Sequence, residues 1–268
     1  MAVKTGGIVL EVCVDTAEGL AQAVAGGADR IELCAALALG GLTPSAGLIE
    51  RAAGCGLPVV AMIRPRAGDF VWSEAEVAMM EAEIAAVRAA GLAGVVLGAN
   101  LPDGRLDVPV LRRLVAACGA VGDRFLQRNR HGAFEGSGPE FLKTPAAFEL
   151  VLHRCIDLAP DMGAALEEAV ALGFHRILTS GGETTAEAGA TRIAALVRQA
   201  AGRITVMPGS GVNPRNAAML KRLGIRELHA SCSATTPVSG RVVEMGFAAP
   251  VRRQTDAAAV RALRAALV

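Results

Sequence analysis

Short apolar runs alternate with longer alanine-rich segments along the chain. Runs of this length are typical of buried strands, and alanine is the strongest helix former. The pattern therefore predicts strands that alternate with helices. The eight apolar runs are Ile8–Val14, Arg30–Cys34, Val59–Ile63, Gly94–Leu97, Glu149–His153, Arg176–Thr179, Ile204–Met207 and Arg226–His229.

Several of the predicted helices begin with recognisable start signals. Ser73 precedes an alanine-rich segment and has Glu76 at capping-box spacing. Thr43-Pro44 and Asn213-Pro214 place proline after a capping residue, which predicts a helix start at each pair.

Strands that alternate with helices indicate a parallel sheet built from βαβ units. Eight such units in a chain of 268 residues predict an α/β fold, a single (β/α)8 TIM barrel over residues 1–268. A doubly wound open sheet is the alternative. The first strand of that fold usually runs into a glycine-rich loop, whereas Cys13-Val14-Asp15 stands there instead.

One connection is longer than the others. The predicted strands 4 and 5 are separated by an excess of chain at 119–148, which predicts an inserted loop at about 120–146. Loops between a helix and the next strand lie at the bottom of a barrel, away from the usual active-site face. A solvated loop and an oligomer contact are both consistent with this segment.

Alternation along the strands predicts which side chains point into the barrel. In the first strand Leu10 and Val12 share an apolar face that should meet the helices, so Glu11 and Cys13 point inward. Buried charges require partners. The inward set is either a paired structural network or a polar pocket at the mouth. It comprises Glu11, Arg30, Glu32, Arg64, His153, Glu227 and His229, with the thiols Cys13 and Cys34.

Two glycine-rich loops follow the predicted strands 6 and 7. They contain Ser180-Gly181-Gly182 and Gly209-Ser210-Gly211. Backbone amides in such loops can turn toward an anion, and we expect both loops to converge on one phosphate-sized site. Tight turns without a ligand would need the same glycines.

Cys13 and Cys34 end neighbouring predicted strands. Because adjacent strands lie about 4.8 Å apart, two thiolates there are suited to a soft cation such as Cu(I). Two inert core cysteines are the alternative.

Composition excludes several classes of function. Charges balance at 27 basic against 26 acidic residues, and aromatic residues make up 3%. Neither a basic footprint nor stacking platforms for nucleic acid are expected. The longest uncharged stretch contains glycines and a proline, and no signal-peptide pattern opens the chain, so no membrane association is expected. Six cysteines without a CxxC pair fit a cytoplasmic protein.

The chain resembles the CutC family of copper homeostasis proteins over nearly its whole length, with the motifs in order. The carrying segments are Leu10–Asp15, Gly27–Cys34, Gly40–Ser45, Met62–Arg66, Gly68–Phe70, Gly98-Ala99, Asp103-Gly104, His153-Arg154 with Asp157, Leu178–Gly182, Val206–Gly211 and His229–Ser231.

The resemblance implies a cytoplasmic barrel, usually oligomeric, that is associated with copper tolerance and binds copper through cysteines. Carried over, those cysteines are Cys13 and Cys34. Two departures from the family pattern are the long segment at 119–148 and Cys155-Ile156, which replaces the usual Ala-Phe before Asp157.

Two functional hypotheses follow. The first is copper homeostasis, with Cu(I) bound by Cys13 and Cys34 and His153 as an extra ligand. The second is an enzyme of lyase or isomerase type that acts on a small anionic or phosphorylated substrate. In both, the protein is a homo-oligomer with no nucleic-acid or membrane partner. The enzyme hypothesis assigns catalysis to Glu11, Glu32, His153 and Asp157, and anion binding to Arg30, Arg64, Arg154, Ser180, Gly181, Gly182, Gly209, Gly211 and His229.

Overall fold

Eight parallel strands form a nearly closed barrel in the computed structural model, which describes residues 7–119 and 148–268. Neighbouring strands are hydrogen-bonded in the order β7-β6-β5-β4-β3-β2-β1-β8, and β7 and β8 approach each other to complete the ring. The predicted (β/α)8 barrel is confirmed. The strands are β1 Val9–Val14, β2 Arg30–Leu33, β3 Val59–Met62, β4 Gly94–Leu97, β5 Glu149–Leu152, β6 Arg176–Thr179, β7 Thr205–Pro208 and β8 Glu227–Ala230.

Helices follow the strands, and side chains fix most of their starts. Ser73 and Asn213 each form a capping box, as their spacing predicts. The start predicted at Thr43-Pro44 is wrong by two residues, because Ser45 is the cap and its hydroxyl accepts from the amide of Leu48. The helices are α1 Ala17–Gly26, α2 Ala46–Ala53, α3 Glu74–Ala89, α4 Val108–Ala117, α5 Met162–Leu172, α6 Ala190–Ala200, α7 Pro214–Lys221, α8 Arg241–Glu244 and α9 Ala257–Leu267.

A hairpin that the sequence pattern did not predict follows β8. Its antiparallel strands are β9 Ser233–Pro237 and β10 Val251–Thr255, and α8 lies between them in sequence. The chain then enters α9, which packs against α1 and α7 and completes the helical ring. The hairpin therefore lies at the end of the barrel where the strands terminate.

The barrel interior contains an apolar cluster and a group of buried polar and charged side chains. Strands β3 to β7 contribute one cluster of buried apolar side chains, whereas β1, β2 and β8 contribute buried carboxylates, an arginine and a histidine. Leu10 and Val12 pack outward in the main core, as the alternation predicts. The apolar inner cluster comprises Val60, Met62, Val96, Val151, Leu178 and Met207, with Cys34 beside them.

The loop predicted at about 120–146 lies outside the described residues. Within the described ranges, no helix is long and apolar enough to cross a membrane.

Candidate functional site

A cavity of about 1450 Å³ opens at the carboxyl ends of the barrel strands. Cys13, Glu32 and His229 form one wall, contributed by β1, β2 and the end of β8. Arg64 and His153, which follow β3 and β5, belong to the other wall. Loop 210–214 and strand β10 form much of the rim.

Glu11 lies below the first wall and is fully buried. Its carboxylate accepts a hydrogen bond from Nε of Arg30, and its Oε1 lies 2.8 Å from Nδ1 of His229. Burial alone would raise the pKa of Glu11, but the charge of Arg30 and the hydrogen bond with His229 lower it to about 2. Glu11 is therefore a fixed anion that orients the His229 ring, because its strand position lies directly opposite His229 on β8.

The other side of the His229 ring faces a thiol and a second carboxylate. Ligand atoms of Cys13, Glu32 and His229 all lie within 4.8 Å of one another, and Nε2 of His229 is 3.7 Å from Oε2 of Glu32. The strand register produces this group, because Cys13 lies opposite Glu32 on β2. We call these three residues the Cys13 cluster.

Charge and burial shift the pKa values of His229 and Glu32. Burial opposes the charged form of His229, but the carboxylate of Glu32 and the Cys13 thiol together raise the pKa of His229 well above its usual value. Burial raises the pKa of Glu32. Glu11 and Glu32 thus differ in pKa direction because only Glu11 is hydrogen-bonded to the Arg30 guanidinium.

Cys34 lies beside the Cys13 cluster and outside its three members. Its Sγ donates to Oε2 of Glu32 at 3.5 Å, and the thiol is fully buried and does not line the cavity. Burial, and then the charge of Glu32, raise the pKa of the Cys34 thiol well above its usual range. The structure therefore couples both cysteines to Glu32, and their joint role as metal ligands stays a prediction.

Arg30 does not line the cavity but lies deeper in the barrel. It donates to Glu11 and to Glu227, and Arg176 in turn pairs with Glu227 and Glu149. The expectation that Arg30 binds a ligand anion is not met, because two internal carboxylates already hold its guanidinium. The inward set predicted from sequence omitted Arg176 and Glu149, although both occupy inward-facing positions of β6 and β5.

Arg64 and His153 form the second wall together with Phe70. The Arg64 guanidinium donates to three backbone carbonyls, those of Leu39, Gly41 and Gly68. Its Cζ lies 5.0 Å from the Phe70 ring centroid, and the Phe70 and His153 rings are 4.6 Å apart. Burial, and then the charge of Arg64, lower the pKa of His153 to about 3, so its imidazole is neutral.

The glycine loop after β6 is occupied by an internal carboxylate. Asp157 accepts from the amides of Ser180 and Gly182 and from the hydroxyls of Thr179 and Ser180. The amide of Gly181 donates to the Thr179 hydroxyl. The carboxylate of Asp157 thus stands where the sequence suggested a ligand anion.

The expected convergence of the two glycine loops is therefore not found. Ser180, Gly181 and Gly182 use their amides internally, and the Gly209 amide donates to the Thr179 carbonyl. Asp157 is hydrogen-bonded into this loop and is not among the described residues that line the cavity. This position does not suit the catalytic role predicted for it.

Gly211 and Arg154 do line the cavity. Gly211 adopts a left-handed conformation (φ 72°) in the rim loop. Arg154 pairs with Asp157 at 2.8 Å and donates to the Ser180 hydroxyl at 2.7 Å. Because Arg154 is already paired, the anion-binding role predicted for it depends on its exposed face.

Comparison with known proteins gives matches over nearly the whole chain. The CutC family profile matches residues 8–136 and 140–234. A family protein CutC from Sinorhizobium medicae is 51% identical over 262 residues, which cover 97% of this chain and 96% of that protein. One from Agrobacterium fabrum is 48% identical and covers 97% of this chain and 94% of its own length.

A solved structure with the same fold comes from Streptococcus agalactiae and carries the name copper homeostasis protein CutC. It is 29% identical, with a TM-score of 0.70, and the alignment covers 84% of this chain and 98% of that one. Together with the family profile and the two relatives, this match shows that the chain belongs to the CutC family.

Proposed function

We propose that this protein binds Cu(I) at the Cys13 cluster and acts in copper homeostasis. The observation that carries the proposal is the group of a thiol, an imidazole and a carboxylate whose ligand atoms lie within 4.8 Å of one another. The name of the Streptococcus agalactiae relative agrees with it.

The donor set suits a soft metal ion. Thiolate sulfur prefers Cu(I) over hard cations, and imidazole is also a good copper ligand. Cys13 and His229 supply these two donors from adjacent strands. Glu32 is a harder ligand, and its oxygen can instead accept the proton that a bound ion displaces from the thiol.

The second shell of the proposed site is already in place. Metal-bound histidines commonly donate their other ring N–H to a carboxylate, which fixes the tautomer and the ring orientation. Glu11 does this for Nδ1 of His229, and Arg30 holds Glu11 in turn. Nε2 of His229 is thereby directed toward Glu32 and Cys13.

Cys34 places a second, fully buried thiol beside the proposed site. Its thiol is hydrogen-bonded to Glu32, so an ion at the Cys13 cluster lies within a short movement of a second thiol. We propose that Cys34 supplies a second thiol to Cu(I) bound at the cluster, whereas His153 belongs to the opposite wall and is no ligand in this arrangement.

Anaerobic Cu(I) titration of the metal-free protein against a competing chelator tests the proposal. We expect Cys13→Ser and His229→Gln each to weaken binding at least tenfold, about 1.4 kcal/mol. Cys55→Ser is the matched control, because Cys55 is a half-buried thiol outside the cavity walls. If both cluster variants bind as tightly as wild type, Cu(I) does not bind at this cluster.

Cytoplasmic location and self-association are further parts of the proposal. All six cysteines are unpaired thiols in the structure, which fits a reducing compartment. Fractionation of native cells with an antibody tests the location, and light scattering of the purified protein tests for a homo-oligomer. Recovery in the periplasm would contradict the proposed location, and a monomeric mass would contradict the proposed self-association.

A further inference from the structure

The second wall of the cavity contains polar atoms that the fold leaves without partners. Among the described residues, buried side-chain nitrogen and oxygen atoms without a hydrogen bond are Nε of Arg64, Nε2 of His153, Oε1 of Glu32 and Oδ1 of Asn100. The first three belong to residues that line the cavity. Buried unpaired polar atoms are rare in folded proteins and call for a specific explanation.

Arg64 carries a positive charge that no carboxylate of the described residues approaches within 4.0 Å. Deeper in the same barrel, Arg30 and Arg176 are each paired with two carboxylates. A buried charge without a counter-ion is costly, and burial lowers the pKa of Arg64. The difference between these arginines therefore points to an anion supplied from outside the chain.

His153 adds a neutral donor at the same place. Its Nδ1 accepts the amide hydrogen of Cys155 at 3.1 Å. In a neutral imidazole the proton then resides on Nε2. Nε2–H of His153 and Nε–H of Arg64 are thus two unpaired donors, both suited to the oxygens of a carboxylate or a phosphate.

Phe70 lies against both donors, with its ring 5.0 Å from the Arg64 guanidinium carbon and 4.6 Å from the His153 ring. Its half-buried ring offers an apolar surface for the carbon skeleton of a ligand. The cavity of about 1450 Å³ is larger than an inorganic ion requires and falls above the usual size range of small-molecule sites.

We infer that Arg64, His153 and Phe70 bind the oxyanion group of a small organic acid or phosphate ester, at a site separate from the Cys13 cluster. Arg64 and His153 donate to the oxyanion, and the remainder of the ligand lies in the cavity. Both donor atoms are buried in this structure, so we expect the Phe70 ring, which lies against both side chains, to shift when the anion enters.

Trp72 makes this movement observable. It is the single tryptophan of a chain without tyrosine, and its ring lies 6.3 Å from that of Phe70 in an edge-on contact. Fluorescence of wild-type protein is recorded during titration with inorganic phosphate, glycerol 3-phosphate and succinate. Glycerol is the uncharged control, and sodium chloride at matched ionic strength is the screening control.

We expect a saturable fluorescence change with at least one anion, at a Kd below about 1 mM. A response to succinate alone assigns a carboxylate, and a response to glycerol 3-phosphate assigns a phosphate ester. Loss of at least tenfold in affinity is expected for Arg64→Lys and for His153→Asn, which keeps an acceptor for the Cys155 amide. Arg105→Lys is the matched control, because Arg105 is exposed and pairs with Asp103.

Nitrogen NMR of the wild-type histidine rings keeps the test independent of variant folding, since an anion on Nε2 shifts the His153 signal. Absence of any saturable response, or unchanged affinity in both folded variants, overturns the inference. Cys13→Ser binds the anion like wild type if the two sites are separate, so failure of copper binding and failure of this site are distinguishable.

Discussion

The carboxylate of Glu11 and Nδ1 of His229 lie 2.8 Å apart inside the barrel, on strand positions that face each other directly. This contact sets which ring nitrogen of His229 is left for the Cys13 cluster. Glu11→Gln replaces the anion with an amide of the same shape, which no longer fixes the tautomer. We expect Cu(I) affinity to fall about 10- to 100-fold, measured by chelator competition.

Glu227→Gln is the matched control for this change. Glu227 also accepts from Arg30 but is not among the residues of the Cys13 cluster. The Glu227→Gln variant should be less stable, since Arg30 and Arg176 lose a shared carboxylate. Its Cu(I) affinity should be unchanged. Equal affinity of Glu11→Gln and wild type would show that Glu11 does not orient the ligand.

Asp157 stabilises the glycine loop after β6, and its replacement should lower the free energy of unfolding. In the wild-type protein the Asp157 carboxylate accepts hydrogen bonds from several donors, including the amides of Ser180 and Gly182. Asp157→Asn replaces one of its acceptor oxygens with an NH2 group, which faces those donors. We expect a loss of about 2 kcal/mol in the free energy of unfolding, measured by urea denaturation. Asp103→Asn, at an exposed surface pair with Arg105, should change it by less than about 1 kcal/mol.

Strand parity predicted much of this site from sequence alone. Glu11 and Glu32 could be placed inside the barrel because Leu10, Val12, Ile31 and Leu33 leave only one face for them. The depth at which each inward side chain lies along the barrel axis could not be predicted in this way. Parity does not distinguish Arg30, which lies among carboxylates below the cavity, from Arg64, which lies in its wall.

Two features could not be read from local pattern. A glycine-rich loop looks the same whether its amides meet a ligand or an internal carboxylate, and Asp157 comes from a different strand end. The strands β9 and β10 are mostly exposed and lack apolar alternation. Both features depend on contacts between residues that are separated along the chain, which a local pattern does not reveal.

Gly94 is required by the close approach of β4 and β5. A Cβ at this position would lie 2.2 Å from the carbonyl oxygen of Glu149, its register partner. Since both are backbone positions in a buried ladder, Gly94→Ala must displace a strand, and we expect a loss of about 1–3 kcal/mol. Thermal unfolding followed by circular dichroism measures it.

Gly47 provides the opposite case. It lies within α2, and nothing lies within 4 Å of an added Cβ. Gly47→Ala should therefore stabilise the protein by about 0.4–1 kcal/mol. A destabilised Gly47→Ala, or a neutral Gly94→Ala, would contradict this account of the two glycines.

His153 should make the protein less stable as the pH falls. Its pKa of about 3 in the folded state lies below the usual 6.5, so the unfolded chain takes up the proton first. The stability associated with the neutral ring is fully present above pH 6.5 and is lost progressively as the pH falls toward 3. Between pH 7 and pH 5 the expected loss is about 2 kcal/mol.

The measurement is urea denaturation of wild type and His153→Asn across this pH range. Comparing the two cancels the contribution of His229, whose pKa is shifted in the opposite direction. Glu11, with a pKa of about 2 against the usual 4.5, contributes only below this range. The variant should lose about 2 kcal/mol less than wild type between pH 7 and pH 5. Parallel pH profiles would show that the buried His153 ring accepts a proton as readily as it does in the unfolded chain.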